Sequence, residues 1–146
     1  MHPMILIFAM LMLVGLYAVD HAESSASRAH AAVIEVDGGR LKAYGAMLRK
    51  FRDANPTFTG QVAPGAAGVP AWFAVDGLNN RISGGSVYAY LAAQNPAHAL
   101  AVARQCSNGL RCGIATAGGL RIPGQAGYAP LPLPAGIPAG AVVIVL

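Results

Sequence analysis

The chain has 146 residues, enough for one modest domain. Apolar residues make up 55% and charged residues 11%, where ordinary soluble domains carry roughly 25% charged, so a free soluble enzyme with an ordinary surface is a poor description. The formal charge of +4 brings a nucleic-acid partner to mind, but Arg81, Arg104, Arg111 and Arg121 are far apart in sequence, and the only local cluster, Arg49-Lys50-Arg52, sits beside Asp53 on a predicted helix. A phosphate-tracking groove needs denser positive charge, so no nucleic-acid partner is expected.

The first element is the run Met4 to Val19, MILIFAMLMLVGLYAV, which carries no charge. As a helix its sixteen residues rise about 24 Å, somewhat short of a hydrocarbon core of roughly 30 Å. Pro3 is tolerated at a helix start, and Tyr17 falls where an interfacial aromatic would sit. A retained membrane anchor over residues 1–22 is the expectation, with the N-terminus in the cytoplasm and the rest of the chain across the membrane. A cleaved signal peptide stays open, because Ser24-Ser25-Ala26 offers small residues of the kind a signal peptidase reads. Both readings export the remainder.

Residues 23–56 read as a helical stalk. Leu41, Tyr44, Leu48 and Phe51 recur at three- and four-residue steps and make one apolar stripe, which is also a candidate interface. Asn55-Pro56 ends that helix, since the residue before a proline avoids helical angles. Over residues 31–39 helix and hairpin both remain open. Val33 to Val36 followed by Asp37-Gly38-Gly39 fits a strand and turn, and two glycines cost a helix about 1 kcal/mol each, so a helix with a kink or break there is expected.

Residues 57–146 read as a periplasmic α+β domain. Pro64-Gly65, Gly68, Pro70 and Gly77 punctuate its start, and Trp72 after a proline reads as a core plug. Ser86 to Leu91 alternates and is rich in β-formers, hence a strand. Asn95-Pro96 opens a helix running to Gln105, with Asn as cap and Pro at the first position. Gly113 to Ala117 and Gly119 to Ile122 read as a hairpin. After a Pro/Gly-rich loop, Ala141 to Leu146 is a buried terminal strand whose free edge offers a second candidate contact surface. The fold class is therefore α+β: an N-terminal transmembrane helix and an amphipathic helix, then a small domain with an antiparallel sheet and one further helix.

Cys106 and Cys112 enclose SNGLR, whose Asn-Gly turn signal lets the chain double back, so a disulfide is expected in an oxidising compartment. Two buried thiols remain an alternative; zinc would need four ligands, and only His98 lies nearby in sequence. Catalytic side chains are scarce. Past residue 56 the only acidic side chain is Asp76, a hydrolytic relay would have to recruit His98 and Asp76, and Ser86 in GGSVY lacks the G-x-S-x-G elbow. No phosphate loop or dinucleotide fingerprint is present. No catalytic residue, cofactor, metal or small-molecule substrate is expected.

FRDANP at Phe51 to Pro56, Thr59-Gly60, the Pro-x-Trp element at Pro70 to Trp72, GGSVYAY at Gly84 to Tyr90 and IPAGAVVIV at Ile137 to Val145 together resemble the small PilM family of plasmid-type thin pilus systems, which is distinct from the larger actin-like protein of the same name. The resemblance spans almost the whole chain. It implies a component of the bacterial inner membrane, single-pass with its C-terminal domain periplasmic, in a type IV pilus assembly apparatus, acting in pilin transport or at the pilus base and contacting other pilus or secretion machinery proteins. A minor pilin-like subunit is the alternative. No catalytic motif is carried over, and the two cysteines lie outside the pattern.

Overall fold

The computed structural model describes residues 3–107, 110–125 and 127–146, and side chains from residue 25 onward together with those of Met10 and Met12. Helix α1 (Pro3–Ala54) is followed by strands β1 (Leu78–Ser83) and β2 (Ser86–Leu91), helix α2 (Pro96–Cys106), and strands β3 (Arg111–Thr116), β4 (Gly119–Arg121) and β5 (Val142–Val145). The chain divides into two compact units, one of residues up to Val33 and one of Ile34–Leu146.

The first unit is helical. Met10 and Met12 are exposed, as is every described side chain between Ser25 and Val33. Among the described residues no helix is long and apolar enough to cross a membrane. The expected anchor at residues 1–22 lies, apart from Met10 and Met12, outside the described side chains.

The second unit begins at Ile34, so the later part of the expected stalk belongs to the folded body. The expected break at Gly38-Gly39 is absent, and α1 continues through it. Tertiary packing overrides propensity there. Leu41, Tyr44 and Leu48 are fully buried, each contributing about 1.5–3 kcal/mol, which outweighs two helical glycines. Gly38 also lets α2 approach closely, since a Cβ at that position would stand 3.1 Å from Gln105 Cγ.

All five strands form one antiparallel sheet in the order β1-β2-β5-β3-β4. Strand β1, LNNRIS, has no strong sequence signature and is made by its hairpin. Ser83 pairs with Ser86 across Gly84 and Gly85, whose φ values of 56° and 76° suit the type I′ turn that glycine favours. Helix α2 starts as its sequence dictates: Pro96 occupies the first turn, and the Asn95 side chain accepts a hydrogen bond from the His98 amide at 2.8 Å.

One sheet face packs on the helices. Val87, Ala89, Leu91, Cys112, Val142 and Ile144 meet Leu41, Tyr44 and Leu48 of α1 and Ala99, Val102 and Ala103 of α2. The other face carries Ala115, Leu120 and Val143, partly covered by Leu131, Leu133 and Ile137 of the proline-rich loop. Strand β5 lies in the middle of the sheet, paired on both sides, so the free edge expected of it does not exist.

Candidate functional site

The apolar stripe is spent inside the molecule. Leu41, Tyr44 and Leu48 are core residues, and Phe51 packs against them with its ring edge-on to Phe58 at 5.3 Å. The stripe is therefore not a docking surface in this fold, because the sheet itself is its partner. Trp72 corrects the opposite way: it is 82% exposed, meeting the Phe73 ring edge-on while Phe73 stacks on Tyr44. The ring that packs on the core is the partly buried Phe73, one residue later.

Two polar clusters lock the helices to the rest of the body. Asn80 is buried on β1, and its Oδ1 accepts from the Val62 amide at 2.8 Å. Its Nδ2 donates to the Val62 carbonyl at 2.8 Å and to the Tyr44 hydroxyl at 2.6 Å. Burial pushes the Tyr44 phenol above its ordinary value; the hydrogen bond with Asn80 opposes that shift and nearby Tyr90 adds to it. In the second cluster Arg40 donates to Asp37 and to the carbonyls of Ala74 and Asp76, tying the loop before β1 to α1.

His98, 1% exposed on α2, has Nε2 3.2 Å from Asp37 Oδ2, an ion pair whenever the imidazole is protonated. The acidic neighbour of His98 is thus Asp37, whose side chain is partly buried, rather than Asp76. Ser86 sits at the start of β2, opposite Ser83. The structure pairs Cys106 with Cys112 as a disulfide, with Cα atoms 5.8 Å apart, joining the end of α2 to β3. Both sulfurs are buried, so the bridge is placed to hold the fold.

Each sheet edge is met by another stretch of the chain. Outside β1, Gly60 exchanges backbone hydrogen bonds with Ile82, and the Asn80 side chain takes up both polar backbone groups of Val62. Outside β4, Leu120 exchanges two with Leu131. The face turned away from the helices is partly covered by the proline-rich loop, whose Leu131, Leu133 and Ile137 share an apolar cluster with Tyr88, Tyr90 and Val145. There the register sets Arg81 opposite Tyr88, Tyr88 opposite Val145 and Val145 opposite Arg111, and in the next row Tyr90 opposite Val143. Tyr88, Tyr90 and Val145 are partly exposed, and Arg111 is exposed. Beyond Arg111 a cavity of about 280 Å³ is lined by Arg111, Arg121 and Tyr128 over Leu120 and Leu131.

The PilM family model matches residues 7–145, nearly the whole sequence. The chain belongs to the PilM family. Among solved structures, PilM from Escherichia coli B7A is 18% identical over 79% of this chain and 92% of that one, with a TM-score of 0.56, a likeness of fold. PilM from Pseudomonas aeruginosa 2192 is 34% identical over 76% of this chain and 92% of that one, with a TM-score of 0.45. No curated protein matches significantly.

The helix-free face of this PilM body was hidden from sequence reasoning because its members are split between strands. Arg81 lies on a strand that composition does not announce, and the face is assembled only when β5 inserts between β2 and β3. The alternation of Ser86 to Leu91 is a strand as expected, and Tyr88 and Tyr90 share one side of it.

Proposed function

We propose that this chain is a non-enzymatic component of a type IV pilus assembly apparatus, a scaffold or adaptor acting in pilin transport or at the pilus base. Family membership, which connects the chain with pilus biogenesis, carries the reading. The chemistry of the body supports a binding role: its histidine is buried against Asp37, its cysteines are bridged, and the helix-free sheet face is apolar and aromatic with cations at its rim.

The same proposal places the protein in the bacterial inner membrane by a single N-terminal span, with the α+β body in the periplasm. The uncharged run Met4 to Val19 and a disulfide suited to an oxidising compartment support it. Alkaline phosphatase fused after Asp53 is expected to be active and phosphatase fused ahead of Pro3 inactive; the reverse pattern rejects the topology. Deleting the gene is expected to abolish assembled pili while pilin is still made. Normal piliation in the deletion strain rejects the functional reading. Recovery of the protein in sheared filaments, lacking its first two dozen residues, would favour a minor pilin-like subunit with a cleaved leader.

A further inference from the structure

We infer that the helix-free face of the sheet is a docking site for an extended acidic segment of a partner protein, with two carboxylates about four residues apart and an apolar or aromatic residue between them. This deepens the proposed adaptor role and rests on it for the partner's place in the cell.

The row that crosses four strands reads Arg81, Tyr88, Val145, Arg111. Cations stand at its two ends, and a partly exposed aromatic and a valine form its middle. Neighbouring strands are about 4.8 Å apart, so three spacings separate the two arginine backbones by about 14 Å. An extended peptide advances about 3.3 Å per residue and covers that span in about four. A segment laid across the strands therefore brings acidic side chains at positions i and i+4 to the two guanidinium groups, and its residue i+2 over Tyr88 and Val145.

Charge argues for the same occupant. The acidic residues of this unit are Glu35, Asp37, Asp53 and Asp76. The first three lie on α1, which packs on the opposite sheet face, and Asp76 precedes β1, with its carbonyl held by Arg40 of the same helix. No side-chain carboxylate is placed on the docking face, and among the described residues neither Arg81 nor Arg111 has an ion-pair partner. The Arg81 guanidinium lies beside Gly136, where a Cβ would stand 3.1 Å from Nη1, at the rim of the loop that partly covers the face. At the other end Arg111 and Tyr128 line a cavity over Leu120 and Leu131, which belong to the same sheet face. Arginine suits carboxylates because its planar fork binds both oxygens. Two cations flanking half-buried tyrosines are too few for a nucleic-acid track. With chain already bridged to each sheet edge, strand addition is obstructed and recognition falls to these side chains.

The test uses the full-length protein in detergent and a fluorescein-labelled peptide of three Glu-Ser-Phe-Ser-Glu repeats, read by anisotropy. Binding is expected to weaken about tenfold in the double variant Arg81→Ser, Arg111→Ser and about threefold in Arg111→Ser alone, and to fall as salt rises from about 50 mM to about 500 mM. Arg111 is exposed, so its single variant reads the site even if the double variant misfolds. Closing the peptide's acid spacing to adjacent residues is expected to weaken binding to the level of the double variant. Unchanged affinity in the variants overturns the proposal, as does equal binding of a peptide with Lys in place of Glu. Tighter binding of an oligothymidylate of matched charge overturns it in favour of nucleic acid. Normal piliation in the deletion strain would remove the pilus reading and leave this binding result standing.

Discussion

Replacing Asn80 with alanine tests whether the loop before β1 is held to the sheet by side-chain chemistry. The amide makes three buried hydrogen bonds: from the Val62 N–H, to the Val62 carbonyl and to the Tyr44 hydroxyl. Asn80→Ala strands all three groups. Each buried polar group left without a partner costs about 1–3 kcal/mol, so their sum runs from about 3 kcal/mol upward, and water entering the vacated space holds the expected loss near about 4 kcal/mol. That is a large part of the roughly 5–15 kcal/mol by which domains are stable. Urea unfolding of the full-length protein in detergent, followed by circular dichroism, should show a lower midpoint at unchanged slope. Tyr44→Phe should cost only about 1 kcal/mol, because Asn80 Nδ2 keeps the Val62 carbonyl, and the double variant should lose less than the two single losses combined. A loss below about 1 kcal/mol for Asn80→Ala would refute the account.

Other expectations follow from the same interior. Replacing both Cys106 and Cys112 with alanine removes closure of a loop spanning a sequence separation of 6 and should cost about 2 kcal/mol, read as a lower urea midpoint; no change would deny the bridge a stabilising role. Trp72→Ala should shift stability by no more than about 0.5 kcal/mol, and the lone tryptophan should be quenched by iodide nearly as freely as a model indole, whereas shielded emission would contradict its exposure. Tyr44 has a folded-state pKa raised by burial, so it binds its proton more tightly folded than unfolded. Its contribution is complete below the ordinary tyrosine value of about 10 and is lost as pH rises toward the folded value. An alkaline loss of stability is thus expected that shrinks in Tyr44→Phe; identical pH profiles for the two proteins would reject it.

Local rules made much of this architecture readable. Asn95-Pro96 starts α2 because a capping side chain and a pre-set φ act within one turn, and the alternation in SVYAYL is a strand because its neighbours bury every second residue. The stripe from Leu41 to Phe51 was legible as an apolar face, though not what it meets. Errors arose where a distant segment decides. Gly38-Gly39 reads as a breaker, yet the helix continues because α2 packs at Gly38. Gly45 behaves alike: a Cβ there would stand 2.7 Å from Leu146 Cδ1, so the glycine sets how closely the helix meets the chain's last residues. Strand β1, with two asparagines and an arginine, was missed because its stability comes from Asn80 reaching Val62 and from the Gly84-Gly85 turn.

The same non-local closure decides how this body can meet a partner. A terminal apolar strand such as AVVIVL reads as an edge open to strand addition, but insertion between β2 and β3 satisfies it on both sides. The true edges, β1 and β4, are each met by backbone of the chain itself, at Gly60 and at Leu131. Edge pairing is indiscriminate, because any extended backbone offers the same ladder, and chain already bridged to the edge obstructs it. A face offers side chains instead, and side chains discriminate by charge and spacing. With one face filled by α1 and α2 and part of the other roofed by Leu131, Leu133 and Ile137, the strip from Arg81 through Tyr88 and Val145 to Arg111 is where selective contact can be made.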